Sequence, residues 1–170
     1  MLLGIVAAVG IWYWRFKMVS EAAGELIDAA DGVRAAARRF AYRRRSDKHP
    51  ADCVEDARLA AAGVMAAIAS MDGPLSRDEI KAIANEARAV FQADQDEADE
   101  IAAFGRWIAG QCKSPDDGAR RLGKIVRRLA GDAVGRDLVA MTERVAQVDG
   151  APLSEAQASA LLTLRRQFEG

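Results

Sequence analysis

A chain of 170 residues can enclose one domain with a sizeable hydrophobic core. Half of it is apolar, chiefly Ala, Leu, Ile and Val, a composition that favours helix. The 24 Lys and Arg nearly balance 25 Asp and Glu, which excludes the basic excess of a nucleic-acid-binding protein, while two cysteines and one histidine exclude a disulfide framework or a zinc site.

Residues 2–14, LLGIVAAVGIWYW, are uncharged and apolar, and Arg15 and Lys17 follow at once. As helix this stretch spans about 20 Å against a hydrocarbon core of roughly 30 Å. Met1 and the residues to Val19, with the basic side chains snorkelling, bring it close to a full crossing. Trp12, Tyr13 and Trp14 suit an aromatic belt at the headgroups. A cleaved signal peptide carries its positive charge before the apolar run, and a soluble helix keeps a polar face. Residues 1–19 therefore read as a single-pass transmembrane anchor. Every basic residue of the first fifty lies after the apolar run 2–14 and none before it, so the positive-inside rule sets the N-terminus outside and the rest of the chain in the cytoplasm. The small residues Gly4, Ala7, Ala8 and Gly10 offer a surface for helix association, and with it an alternative role as an oligomer assembled through the anchor.

Residues 20–50 read as a basic juxtamembrane helix or linker. Within RRFAYRRR (38–45), Arg38, Arg39, Arg43, Arg44 and Arg45 suit contact with anionic lipid headgroups, at about 1 kcal/mol for each charge near the surface. A solvated helix end explains them equally well. His49, just before Pro50, reads as a turn residue.

Charge is distributed in blocks. Residues 1–50 carry nine Lys/Arg against five Asp/Glu, residues 51–112 five against twelve, and residues 113–170 ten against eight. An acidic centre between basic flanks implies different neighbours for different parts of the protein.

From residue 51 onward the apolar periodicity is helical. Val54, Ala57, Ala61, Val64, Ile68 and Met71 predict one face of a helix ending at Asp72-Gly73. Ile80, Ile83, Ala84, Ala87 and Phe91 mark the next helix. Ile101, Phe104, Ile108 and Cys112 mark a third, opened by the acidic run DQDEADE (94–100). Acidic side chains favour a helix N-terminus, and this run lacks the glycine and spacing of an EF-hand loop. Ser114 and Pro115 are the expected N-cap and first residue of a fourth helix. Its buried stripe is Leu122, Ile125, Val126 and Leu129, while Arg120, Lys124, Arg127 and Arg128 form a basic face, either solvated or meeting an acidic partner. Leu138, Met141, Val145 and Val148 run to a second Asp-Gly pair, and Leu161, Leu164 and Phe168 belong to the last helix. Cys53 and Cys112 fall within apolar patterns and read as small buried hydrophobes of a reducing compartment.

One corner is written twice. MDGPLSRDE (71–79) returns as VDGAPLSEAQ (148–157), its Asp 77 residues later. Gly73 suits the left-handed residue that ends a helix, and Pro74 cannot continue the old hydrogen-bond ladder. Ser76 with Glu79, and Ser154 with Gln157, fit capping boxes that open the next helix. Leu75 and Leu153 are placed to plug the gap between the paired helices. Asp72 and Asp149 sit at helix C-termini, where the dipole disfavours an acid by about 0.3–1 kcal/mol. Local bonding to the turn, a bond to a distant backbone donor, or a divalent cation held by oxygen ligands would each account for them.

A helix ending in Asp-Gly, followed by an apolar-Ser pair and an acidic residue seven after the Asp, used twice in a helical domain, resembles the TerB-like family of tellurite-resistance-associated proteins. The segment HPADCVEDARLAAAGVMAAIASMDG is similar to the opening of bacterial members, and the resemblance covers residues 51–170. It implies an all-α bundle of about seven helices with two pseudo-symmetric corners, and roles in stress response or as a membrane-associated scaffold. It also implies acidic residues that chelate a metal, Ca2+ or Mn2+, which in this chain are Asp72, Glu79 and Asp149. At the second corner Gln157, a poorer cation ligand, stands where the pattern has a glutamate. An anchor ahead of such a domain resembles the membrane-anchored DnaJ-like co-chaperones, although no His-Pro-Asp tripeptide of a J domain occurs here. The expectation is a non-catalytic interaction or sensing module at the bacterial inner membrane, with an unknown protein partner. The alternative is a metal-dependent enzyme using the acidic corners, but no histidine, reactive cysteine or phosphate-binding loop joins them.

Overall fold

The computed structural model describes residues 49–169. The anchor at 1–19 and the basic run at 38–45 lie outside the described residues. Six α-helices follow one another: α1 (Ala57–Ala69), α2 (Arg77–Phe91), α3 (Gln95–Ala109), α4 (Pro115–Ala130), α5 (Gly135–Ala146) and α6 (Glu155–Glu169). Short 3-10 turns at Pro50–Cys53 and Asp132–Val134 precede α1 and α5. The described residues contain no strand, in keeping with the all-α expectation; six helices stand where about seven were expected.

Most helices start where a side chain satisfies an orphan backbone donor. Asp56 accepts from the Arg58 N–H at 2.8 Å, Asp94 from the Glu97 N–H at 2.9 Å, and Ser114 from the Asp117 N–H at 3.2 Å with Pro115 as the first helical residue. α2 ends on Gln92 in the left-handed conformation, and α4 ends at Gly131 with φ 78°.

α1 departs from the amphipathic expectation. Its sequence LAAAGVMAAIA offers no polar face between Ala60 and Ala69, and every residue of that run is buried. A helix apolar all round is one surrounded by protein, and all five other helices pack on α1. Those five also close a ring: α3 against α2, α2 against α5, α5 against α6, α6 against α4, and α4 back against α3.

Small side chains set how near the ring can come. A Cβ on Gly105 of α3 would stand 2.6 Å from the Ala62 carbonyl carbon and 2.7 Å from its oxygen. Gly63 faces Leu122 of α4 and Ile108 of α3, and Gly118 faces the Ala67 methyl. The individual alanines bury little area, so cohesion around α1 comes from many close contacts at interior packing density.

Polar links tie the ring at its rim. Arg58 bonds Asp56 and reaches Glu97 at 2.6 Å, joining the starts of α1 and α3. Burial works against that guanidinium, but the two carboxylates outweigh it and hold its pKa above the ordinary range. Arg144 of α5 forms a fork with both Glu86 oxygens of α2 at 2.7 Å. The turn before α1 is strapped down by Arg121, whose Nη1 lies 3.0 Å from both Asp52 oxygens, and by His49, whose Nε2 lies 3.0 Å from the Gln111 carbonyl oxygen. His49 also caps this turn, its Nδ1 accepting from the Ala51 N–H.

Two helices stop earlier than their periodicity. α1 ends at Ala69, not at Asp72, and α5 ends at Ala146, which leaves Val148 42 % exposed outside the predicted stripe. The last apolar positions of each pattern belong to the corner that follows.

Gly105→Ala is expected to destabilise the fold by about 1–3 kcal/mol through overpacking, despite the better helix propensity of alanine. Urea denaturation beside Gly73→Ala, where a Cβ meets nothing within 4 Å, provides the check. Equal midpoints for Gly105→Ala and the parent chain would show that α1 and α3 are not spaced by this contact.

Candidate functional site at the paired helix corners

The first corner begins as α1 runs out. Ser70 donates its N–H to the Ala66 carbonyl and its Oγ–H to Ala67 O at 2.9 Å, and the Met71 N–H bonds Ile68 O. Asp72 and Pro74 are exposed, and Leu75 packs against the core from the corner. Ser76 then opens α2. Its Oγ accepts from the Glu79 N–H at 3.1 Å, while Glu79 Oε2 accepts from the Ser76 N–H at 2.7 Å. Gly73 does not take the left-handed conformation expected of it; the positive-φ glycines among the described residues are Gly131 and Gly150.

The second corner follows the same plan with one change. Val148 N–H bonds Val145 O, and Gly150, with φ 74°, donates to Gln147 O at 2.9 Å. Here glycine is required, because a side chain at that φ is strained. Asp149 is exposed, and Leu153 packs on the core as Leu75 does. Ser154 Oγ accepts from the Gln157 N–H at 3.2 Å, and Gln157 Oε1 accepts from the Ser154 N–H at 3.0 Å.

The corners meet through Gln157. Its side chain is fully buried, and Nε2 donates to Ala69 O at 3.4 Å, a carbonyl at the end of α1. One amide thus caps the start of α6 with its oxygen and the end of α1 with its nitrogen. A carboxylate has no proton for the second bond. The glutamine that looked like a weakened cation ligand is the residue that lets the two corners touch.

The structure does not assemble the three expected carboxylates into a cation cage. Glu79 is 8 % exposed and its Oε2 is held by a backbone N–H, whereas Asp72 and Asp149 lie at the surface of separate turns. Among the described residues no group of three or more His, Cys, Asp or Glu side chains is placed to hold a metal ion. Calcium asks for six to eight oxygens, and this arrangement does not fit it. The acidic run 94–100 is likewise explained by structure: Asp94 caps α3, Glu97 meets Arg58 and Asp99 accepts from Gln95.

The cysteines are free and half-buried. Burial pushes the Cys112 thiol above its usual range, and Asp117 adds to the effect, which makes it a poor nucleophile. The basic face of α4 is largely matched within the chain: Arg120 pairs with Asp116, Arg127 with Asp132, and Arg128 donates to Val54 O.

Residues 58–166 match the family described as tellurite resistance protein TerB. The chain belongs to the TerB family. No curated protein and no solved structure matches it. Within this TerB domain the duplicated corner is visible in the sequence, but the bond from Gln157 to Ala69 is not. Its signal is the exchange of Glu for Gln between otherwise matched boxes.

Gln157→Glu is expected to destabilise the fold by about 1–3 kcal/mol at neutral pH, because a buried carboxylate would face the Ala69 carbonyl. Desolvation raises the folded-state pKa of the introduced acid above its unfolded value, so the deficit should shrink as pH falls and grow as it rises. Denaturation at pH 4.5 and 7.5 reads this directly. A variant as stable as the parent at both values would remove the bridging role of Gln157.

Proposed function

We propose that this TerB-family chain is a membrane-tethered, non-catalytic interaction module, its helical body facing the cytoplasm and its role lying in the stress response that the family description suggests. The observation that carries a non-catalytic reading is the use made of the corner side chains. Ser76, Glu79, Ser154 and Gln157 are engaged with backbone groups, and burial at Cys112 disfavours the thiolate. The tether reading rests on the apolar run 2–14 and the basic residues after it. No helix among the described residues is long and apolar enough to cross a membrane.

Two measurements test these parts separately. In carbonate extraction the full chain should remain with the membrane, and its release into the supernatant would remove the tether. In calorimetry with Ca2+ or Mn2+, Asp72→Asn and Asp149→Asn should give the same heats as the parent. A signal lost in either variant would restore a cation site at the corners, held by the exposed aspartates without Glu79.

A further inference from the structure

Two open grooves meet on the face where α2, α3, the first corner and the start of α4 come together. Both include Arg106 and Gly110 in their walls. The first is floored by Ile80, Ala102 and Trp107, the second by Leu75 and Ala109. Trp107 is 42 % exposed and leans on Phe104, their ring centroids 5.4 Å apart and their planes at 55°. From Asp99 to Ala109 the axis of α3 rises about 15 Å, the length of four or five residues of extended chain.

The charge along this surface runs against its surroundings. Residues 51–112 hold only five Lys and Arg against twelve Asp and Glu, yet Lys81 and Arg106 line the first groove, and Lys113 joins Arg106 in the second. Neither the Arg106 nor the Lys113 side chain forms an ion pair among the described residues, although the Lys113 backbone N–H donates to Asp117 Oδ2 at 3.3 Å, and Lys81 makes only an exposed 3.5 Å contact with Asp78. Asp99, the one acid in the walls, accepts a hydrogen bond from Gln95 at 2.9 Å. The basic face of α4 is the opposite case, with most of its guanidinium groups matched internally. Exposed aromatic surface beside unmatched cations in a concave channel suits an occupant that is narrow, acidic and anchored by one apolar side chain. A planar lipid surface does not enter such a channel.

We propose that this groove docks an extended acidic segment of a partner protein, with an apolar side chain against Trp107 and carboxylates on Arg106 and Lys113. It rests on reading the domain as a binding module and names the chemistry of what is bound. Rim charges of this kind contribute to encounter rate and salt dependence, and the aromatic anchor to residence.

The test uses the full chain in phosphatidylcholine nanodiscs and fluorescence anisotropy. The probes are fluorescein-labelled nonapeptides of Asp and Glu carrying one central Leu, Phe or Trp, beside matched peptides of Lys and Arg. The acidic set should bind, and at least tenfold more tightly than the basic set. Arg106→Glu with Lys113→Glu should cost at least tenfold in affinity and transfer the preference to the basic peptides. Trp107→Ser should erase the advantage of the central apolar residue, and circular dichroism of each variant confirms that it folds. Overturning results are an acidic set that does not bind, affinities unmoved by the charge reversal, or binding to phosphatidylglycerol nanodiscs that depends on Arg106 and Lys113 while the peptides stay free. Cross-linking pull-down with the same variants separates the two levels. Partners retained by the charge-reversed chain would reject the groove and keep the module, and a parent chain that captures nothing would reject the module itself.

Discussion

Close approach to a single alanine-rich helix is the constraint on which the structure depends. Ten consecutive buried residues in α1, from Ala60 to Ala69, leave no side that solvent can reach. Five helices share one central rod, and each must come near enough for methyl groups and backbone to make the contact. That explains why glycine appears on the partners: Gly105 against Ala62, and Gly118 against Ala67. Alanine loses almost no side-chain entropy on folding, so this interior gains from density what it lacks in bulk. The larger residues, such as Ile83, Leu122, Leu138, Met141 and Leu164, are fully buried around it, and Leu122 reaches Gly63 of the rod itself.

Much of this was legible in the sequence, for reasons that differ by position. Helix starts were readable because capping is local: Ser76 with Glu79, Ser154 with Gln157, and Ser114 before Pro115 stand within a few residues of the donors they satisfy. Helix ends were less so. Met71 and Val148 continue an apolar period, but the ladder has already closed at Ala69 and Ala146, and periodicity carries no record of where hydrogen bonding stops. The central position of α1 was missed because a stripe drawn through Ala57, Ala61, Val64 and Ile68 ignores the alanines between them. Ala occurs on wet and dry helix faces alike, so only packing decides which it is.

The two corners carry the same lesson to the candidate site. Asp72, Glu79 and Asp149 resemble ligands when aligned by motif, yet one of them is occupied with its own backbone and the other two face solvent. What the corners share is a way of starting a helix; what distinguishes them is that only the second reaches across to its counterpart. A single-residue difference, Gln157 for Glu79, turns a local cap into a tertiary contact between segments 88 positions apart. Sequence displays the substitution but not the carbonyl waiting for it.

The strap ahead of α1 has a mechanical meaning. His49 is held at Gln111 and Asp52 at Arg121, so the chain enters the body fastened to the α3–α4 junction and the side of α4. Force drawn through the upstream segment arrives first at these two fastenings, and only afterwards at the central rod. The entry point is thus a strain relief: a pull on the chain ahead of His49 is borne by these fastenings before it reaches the core.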